Sequence, residues 1–132
     1  MSDSSQRQNR DAAAPPLRIL YVEDNSIVRE VTAELLAGEG RHVVAKENAE
    51  EALQEFNAHP FDLVITDVSL PHMSGMDLAR AIMTAKPETP IIIASGYFID
   101  LTLQNWTRRV RSIVKPFSAA DIDALIAEIC AP

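Results

Sequence analysis

The segment VITDVSLPHMSGM, residues 64–76, joins an apolar run to a sharp turn, and Asp67 lies at the junction. The aliphatic and β-branched residues before Asp67 predict a buried strand. The Pro, Ser and Gly residues after it predict a tight loop. Asp67 therefore has two interpretations: it caps this loop, or the strand holds its carboxylate at a tip where it reacts or binds a ligand.

Apolar runs and helical patterns alternate on both sides of this segment. The predicted strands are residues 17–22, 42–47, 61–66, 90–95 and 111–114. Capping residues and helical periodicity predict helices over about 25–37, 48–58, 74–86, 98–109 and 118–129. Ile27, Val31 and Leu35 fall on one face of the first helix. The pattern between Phe98 and Arg109 is the weakest of the five.

Strands that are apolar on both faces need helices on both sides, and this arrangement is typical of a parallel sheet. Five strand–helix units in about 115 residues favour an open doubly wound α/β fold, because a closed barrel needs ~250 residues. The polar composition of residues 1–16, which end in two prolines, predicts a disordered N-terminal tail. Residues 17–131 then form a single domain.

Composition narrows the class of protein. The 132 residues include 12 basic and 19 acidic side chains, a formal net charge of -7, so we expect no direct nucleic-acid binding. A single cysteine, Cys130, excludes an internal disulfide and fits a reducing compartment, which predicts a cytoplasmic location. No apolar run approaches the ~18 residues of a membrane span, and we expect no membrane association.

Polar side chains stand where the predicted strands end. Glu23 and Asp24 follow the first strand, Asp67 the third, and Lys115 the fifth, while Ser95 ends the fourth. Ligands of open parallel sheets bind at the carboxyl ends of the strands. Three carboxylates close together repel one another, and Mg²⁺, which prefers oxygen ligands, relieves that repulsion. This set suits phosphoryl transfer to a carboxylate, with Asp67 as the nucleophile and Lys115 and Ser95 assisting.

Four motifs in order resemble the receiver domain of bacterial two-component response regulators. They are VEDN at 22–25, TDVSLPHMSGM at 66–76, ASGY at 94–97 and KPF at 115–117. The resemblance covers nearly everything but the tail. It implies a flavodoxin-like sheet of five parallel strands in the order 2-1-3-4-5, with helices on both faces.

The resemblance also assigns roles at the strand ends. It implies that a histidine kinase or a histidine phosphotransfer protein phosphorylates Asp67 from a phosphohistidine. It implies that Asp24, Asp67 and the backbone carbonyl of Ser69 hold Mg²⁺, with Glu23 acting through water.

Two further roles and one departure come from the same family pattern. Lys115 contacts the phosphoryl group, Ser95 is the switch hydroxyl, and Pro116 follows a cis peptide bond. The position three residues before the lysine is often aromatic in this family, but here it is Ser112. Coupling through an aromatic rotamer at 112 is therefore not expected, and Tyr97 or Trp106 are alternatives.

The leading hypothesis is a phosphoacceptor switch, not an enzyme, that changes its contacts with a downstream protein target. Because the sequence stops at Pro132, we expect the output to be another protein or onward transfer of phosphate in a relay; an attached output domain is the alternative if the sequence is a piece of a longer chain. Its oligomeric state stays open.

Two rivals share this architecture. One is a small Mg²⁺-dependent phosphatase or phosphotransferase with an aspartyl-phosphate intermediate. Such enzymes usually carry an acid two residues after the nucleophile, where this sequence has Ser69. The other is a flavodoxin-like FMN carrier, but the acidic segment EDNS at 23–26 would repel a phosphate without a metal.

Overall fold

The computed structural model describes residues 15–38, 40–101, 106–107 and 109–130. Strands and helices alternate along these ranges. The strands are β1 Leu17–Val22, β2 Arg41–Lys46, β3 Leu63–Asp67, β4 Ile91–Ser95 and β5 Val110–Val114. The helices are α1 Ser26–Leu36, α2 Ala49–Ala58, α3 Gly75–Ala85 and α4 Ala119–Ile129. The tail predicted over residues 1–16 lies outside the described ranges up to residue 14.

The five strands form one parallel sheet in the order β2-β1-β3-β4-β5. This confirms the predicted fold class and strand order. The helix predicted between Phe98 and Arg109 falls partly on residues 102–105 and 108, which lie outside the described ranges. The described residues of that segment are not in an α-helix.

Alternating residues of each central strand pack on opposite faces of the sheet. On β1, Leu20 and Val22 join a cluster with the buried faces of α2 and α3, while Ile19 and Tyr21 join a second cluster with α4 and the end of α1. β3 and β4 are buried along their whole length. Because successive strand side chains point to opposite faces, a strand covered on both sides must be apolar throughout. That requirement explains the continuous apolar runs in the sequence.

The helices begin where the sequence predicted a cap. The side chains of Asn25, Asn48, Ser74 and Ser118 each accept a hydrogen bond from the backbone N–H three residues later. At Ser118 the reciprocal bond, in which the backbone N–H of Ser118 donates to the Asp121 carboxylate, completes a capping box. Each helix has 10 or 11 residues. Among the residues that the structure describes, no helix has the length and apolar character needed to cross a membrane.

One face of α1 differs from what its pattern suggested. Ile27 and Val31 share a face, but they are 72% and 60% exposed, and Val28 is also exposed. Leu36 is the buried residue of this helix. Leu35, the third residue predicted on this face, is half-buried and packs against the second cluster, so only the part of the face before it is exposed. Ile27, Val28 and Val31 form an exposed apolar surface beside the carboxyl ends of the strands.

The strand order places the carboxyl ends of β1 and β3 side by side. Residue Val22 pairs with Thr66, and Asp67 pairs with Ala94 on β4. After β1 the chain adds β2 on one side of β1 and then returns to add β3 on the other side. The order in which strands are added therefore reverses between β1 and β3. In doubly wound sheets this point of reversal opens a crevice in which ligands bind. The residues after β1 and at the end of β3 face that crevice.

Candidate functional site

Three carboxylates meet at the crevice. Glu23, Asp24 and Asp67 each offer one oxygen, and these oxygens lie within 4.8 Å of one another. Glu23 and Asp67 are 3% and 7% exposed, and Asp24 is exposed. The structure thus gathers the acids that the sequence places at the ends of two different strands. Carboxylate oxygens at this spacing are a donor set that suits Mg²⁺.

Lys115, which follows β5, reaches two of these carboxylates. Its Nζ atom lies 3.2 Å from Asp67 Oδ1 and 3.4 Å from Glu23 Oε1. The backbone N–H of Lys115 donates to the carbonyl of Ser95 at 2.7 Å, which fixes the end of β5 against β4. The bond between Lys115 and Pro116 is cis, as the resemblance implied. The lysine therefore adds one positive charge to a site of three acids.

Burial and charge act against each other in this group. Burial raises the pKa of Glu23, and the nearby Asp67 carboxylate raises it further, while the Asn25 N–H and Lys115 act in the opposite direction. Burial lowers the pKa of Lys115, but Asp67 and Glu23 outweigh that effect together and leave it above its ordinary value. Lys115 therefore stays protonated at neutral pH. Burial therefore disfavours the charged form of Glu23, and Lys115 offsets part of that effect.

Hydrogen bonds hold the Glu23 carboxylate in place. Its Oε2 atom accepts the backbone N–H of Asn25 at 3.1 Å, and Lys115 donates to Oε1. Arg29 extends back from α1, and its Nη1 atom donates to the backbone carbonyls of Glu23 and Asp24. The sequence analysis did not single out Arg29. Its position in α1, just after the two acids, was the available signal, but sequence spacing does not show that a side chain turns back toward a loop.

Ser95 lies at the end of β4 and is 1% exposed. Its Oγ atom accepts the backbone N–H of Tyr97 at 3.1 Å, so the hydroxyl bonds to its own loop in this structure. Ser69 is exposed in the turn after β3. Ser112, on β5, donates from Oγ to the carbonyl of Ile99 at 3.4 Å. No contact places Ser112 at the carboxylates, in keeping with its position away from the end of β5.

Gly75 is a second residue whose part in the site the sequence analysis missed, since it counted this glycine only among the loop residues after Asp67. Its N–H donates to the carbonyl of Val68 at 3.0 Å. A Cβ atom on residue 75 would overlap the backbone carbonyl oxygen of Asp67 and would lie 3.0 Å from the Cα atom of Val68. Glycine therefore lets the first turn of α3 pack directly on the backbone that carries Asp67.

Comparison with known proteins identifies the family. The chain matches the family described as the response regulator receiver domain over residues 19–127. It belongs to that family. Receiver domains act in two-component systems as phosphoacceptor switches, paired with histidine kinases and downstream effectors, which is the class of protein that the sequence analysis expected.

The chain is also similar to individual curated proteins. It is 35% identical over 114 residues to the sensor protein TorS of Escherichia coli strain K12, an alignment that covers 84% of this chain and 12% of TorS. The first curated relatives that it matches are much longer, since the chain spans between 12% and 35% of their length.

Solved structures share the fold. The response regulator TrrA of Thermotoga maritima, solved in complex with Mg²⁺-BeF, has a TM-score of 0.75 and 31% identity, with 85% of this chain and 97% of TrrA covered. The receiver domain of the hybrid histidine kinase CckA has a TM-score of 0.70 and 30% identity, with 86% and 98% covered.

Proposed function

We propose that this chain is a phosphoacceptor receiver in which Asp67 takes a phosphoryl group from a phosphohistidine of a partner protein. The observation that carries the proposal is the ammonium of Lys115 at 3.2 Å from Asp67, inside a cluster whose carboxylate oxygens lie within 4.8 Å of one another. A lone aspartate at the end of a strand does not need a lysine, two further acids and near-complete burial. A nucleophilic carboxylate whose product is an acyl phosphate does.

The transfer itself is a single displacement at phosphorus. An oxygen of Asp67 forms a bond to phosphorus while the bond between phosphorus and the histidine nitrogen breaks, and the nitrogen keeps that electron pair. With a proton on the other ring nitrogen of the phosphohistidine, the products are the aspartyl phosphate and a neutral histidine. Because the protein contributes little covalent chemistry to such a transfer, positioning and charge neutralisation supply the catalysis. Lys115 neutralises charge on the phosphoryl oxygens from one side.

Mg²⁺ supplies the remaining neutralisation when it is bound. Asp24 and Asp67 would hold it, together with the backbone carbonyl of Ser69, and Glu23 would act through water. The fit of this donor set rests on the short mutual distances of the three carboxylates. The related TrrA was solved with Mg²⁺-BeF.

Ser95 is the switch hydroxyl in this proposal. It bonds to the N–H of Tyr97 in the present structure, so a turn of its hydroxyl toward a phosphoryl group on Asp67 exchanges one hydrogen bond for another. That exchange releases the backbone at Tyr97 and Phe98, whose side chains are 64% and 74% exposed. Phosphorylation then shifts the population between two arrangements of this loop, which a downstream protein distinguishes.

The partner that donates phosphate is a histidine kinase or a histidine phosphotransfer protein. The exposed apolar surface of α1 lies next to the site, because Val28 and Val31 line the same groove as Lys115 and Pro116, a groove of about 400 Å³. A protein that brings a phosphohistidine to Asp67 must cover this region. We therefore assign it the contact with the donor, and place the protein in the cytoplasm, where these donors act. Similarity to the receiver of a hybrid kinase keeps a relay role possible.

Intact mass measurement tests the proposal. Incubation with Mg²⁺ and a small acyl phosphate or phosphoramidate should add one phosphoryl group to the wild-type protein. Asp67→Asn should abolish the addition, and Asp77→Asn, which removes an exposed acid in the first turn of α3, should not. Equal labelling of wild type and Asp67→Asn would contradict the assignment. Sustained turnover of phosphate esters would favour the phosphatase, and a yellow purified protein the flavin carrier.

A further inference from the structure

We propose that Arg29 is a positioning residue for the metal site, which it serves by fixing the turn that carries Glu23 and Asp24. This inference rests on the proposed function, because it concerns the same carboxylates. Arg29 touches neither a substrate nor a reacting atom. It acts on the backbone beneath two of the residues that would hold Mg²⁺.

The contacts are specific. The Nη1 atom of Arg29 lies 2.8 Å from the carbonyl oxygen of Glu23 and 3.3 Å from that of Asp24. Arg29 is half-buried, and it belongs to the first helical turn, in which its own N–H donates to the carbonyl of Asn25 at 2.8 Å. The helix therefore anchors the base of the side chain while its guanidinium spans back to the turn.

The turn needs such support because neither the sheet nor the helix holds it completely. The parallel ladder ends where the N–H of Glu23 donates to the carbonyl of Lys46 at 3.0 Å, and α1 begins at Ser26. The carbonyls of Glu23 and Asp24 lie between these two elements. A guanidinium that bonds both carbonyls fixes two successive peptide planes. Those planes set the directions in which the two carboxylate side chains leave the backbone.

The charge of Arg29 and its positioning role predict opposite effects on Mg²⁺ binding when the residue is replaced. A guanidinium near a cation site repels Mg²⁺, so its removal on grounds of charge alone would tighten metal binding. Loss of positioning weakens metal binding instead. Arg29→Gln removes both the charge and the Nη1 donor, and Arg29→Lys keeps the charge but replaces the guanidinium that carries Nη1 by a compact ammonium on a different stem. The pair of variants therefore separates the two effects by sign.

Calorimetric titration of the wild-type protein and both variants with Mg²⁺ is the test. We expect about tenfold weaker Mg²⁺ binding in Arg29→Gln and in Arg29→Lys, the lower end of the effect seen for residues that orient metal ligands. In phosphorylation assays, the Mg²⁺ concentration for half-maximal rate should rise while the rate at saturating Mg²⁺ stays near that of the wild type. Arg18→Gln is the matched control, because Arg18 also donates to a backbone carbonyl, that of Pro60, but at the amino end of β1.

Each other outcome decides against the inference. Unchanged or tighter Mg²⁺ binding in both variants overturns it, and so does a fall in the rate at saturating Mg²⁺, which would mean contact with the phosphoryl group. Denaturation midpoints far below that of Arg18→Gln in both variants would assign Arg29 a purely structural role. A wild-type protein that binds no Mg²⁺ and accepts no phosphoryl group overturns the proposed function itself, whereas a competent wild type with unaffected variants overturns only the role of Arg29.

Discussion

At the scale of single residues, the site depends on the lack of a side chain at Gly75 as much as on the charged groups. Gly75 opens α3, and its lack of a side chain allows the helix to approach the backbone of Asp67 and Val68. Substituting alanine for glycine within a helix normally stabilises it by about 1 kcal/mol. Here the added methyl group would meet backbone atoms, which cannot move aside as the end of a flexible side chain can.

We predict that Gly75→Ala destabilises the protein by about 2 kcal/mol, because the cost of forced overlap exceeds the gain in helix propensity. Chemical denaturation followed by circular dichroism measures the change. Gly96→Ala is the control, since a Cβ atom there meets nothing within 4 Å, and it should leave the denaturation midpoint nearly unchanged. If the two variants were equally stable, the close approach of α3 to Asp67 would be wrong.

At the scale of secondary structure elements, α1 both packs on the sheet and exposes apolar side chains beside the site. Its C-terminal part packs on the sheet through Leu36, while Ile27, Val28 and Val31 stay exposed beside the site. Exposed apolar side chains scattered singly are normal, but three on one helix face next to a groove indicate a binding surface. The same helix supplies Arg29, so α1 would connect the proposed contact with a partner to the turn that carries the acids.

We predict that Val31→Asp slows phosphoryl transfer from a protein phosphodonor about tenfold, because a charge replaces an apolar contact worth about 1.5 kcal/mol. Transfer from a small acyl phosphate should be unaffected, since that donor needs no contact with α1. Rates with both donors, followed by intact mass, give the comparison. Asn57→Asp adds the same charge at an exposed position of α2 and should leave both rates unchanged. Equal slowing with both donors would locate the defect in the site and not in docking.

At the scale of the whole molecule, the site joins parts of the chain that are far apart in sequence. The turn after β1, the end of β3 and the residue after β5 meet at one edge of the sheet, and the Lys115–Glu23 pair spans 92 residues. Unfolding separates these groups completely. A ligand that binds all of them at once therefore stabilises the whole fold, because the unfolded chain does not offer the site.

We predict that Mg²⁺ at about 100 times its dissociation constant raises the free energy of unfolding by about 2.7 kcal/mol. Urea denaturation with Mg²⁺ and with a chelator, at equal ionic strength, measures the difference. The gain should largely disappear in Asp24→Asn, which keeps the shape of the side chain but removes a charged ligand. A gain of the same size with Na⁺ alone would show general screening of the acidic charge and not a specific site.

The sequence by itself determined the class of fold and the chemical character of the site. Apolar runs such as residues 63–67 could be buried only between two layers of helices, and that condition led to the parallel sheet. The same runs ended in acids, a serine and a lysine, and parallel strands bring their carboxyl ends to one edge. These conclusions were accessible because they depend on local pattern and on a general rule of sheet geometry.

Only the tertiary structure decided how individual side chains use that edge. Periodicity identified the apolar face of α1 but not that Ile27 and Val31 on it are exposed, because burial depends on how the helix packs against the rest of the chain. It gave no reason to connect Arg29 with the carbonyls of Glu23 and Asp24, or the absent side chain of Gly75 with Asp67. Such contacts depend on differences of a few tenths of an ångström in the distances between elements. Packing of the complete chain sets those distances.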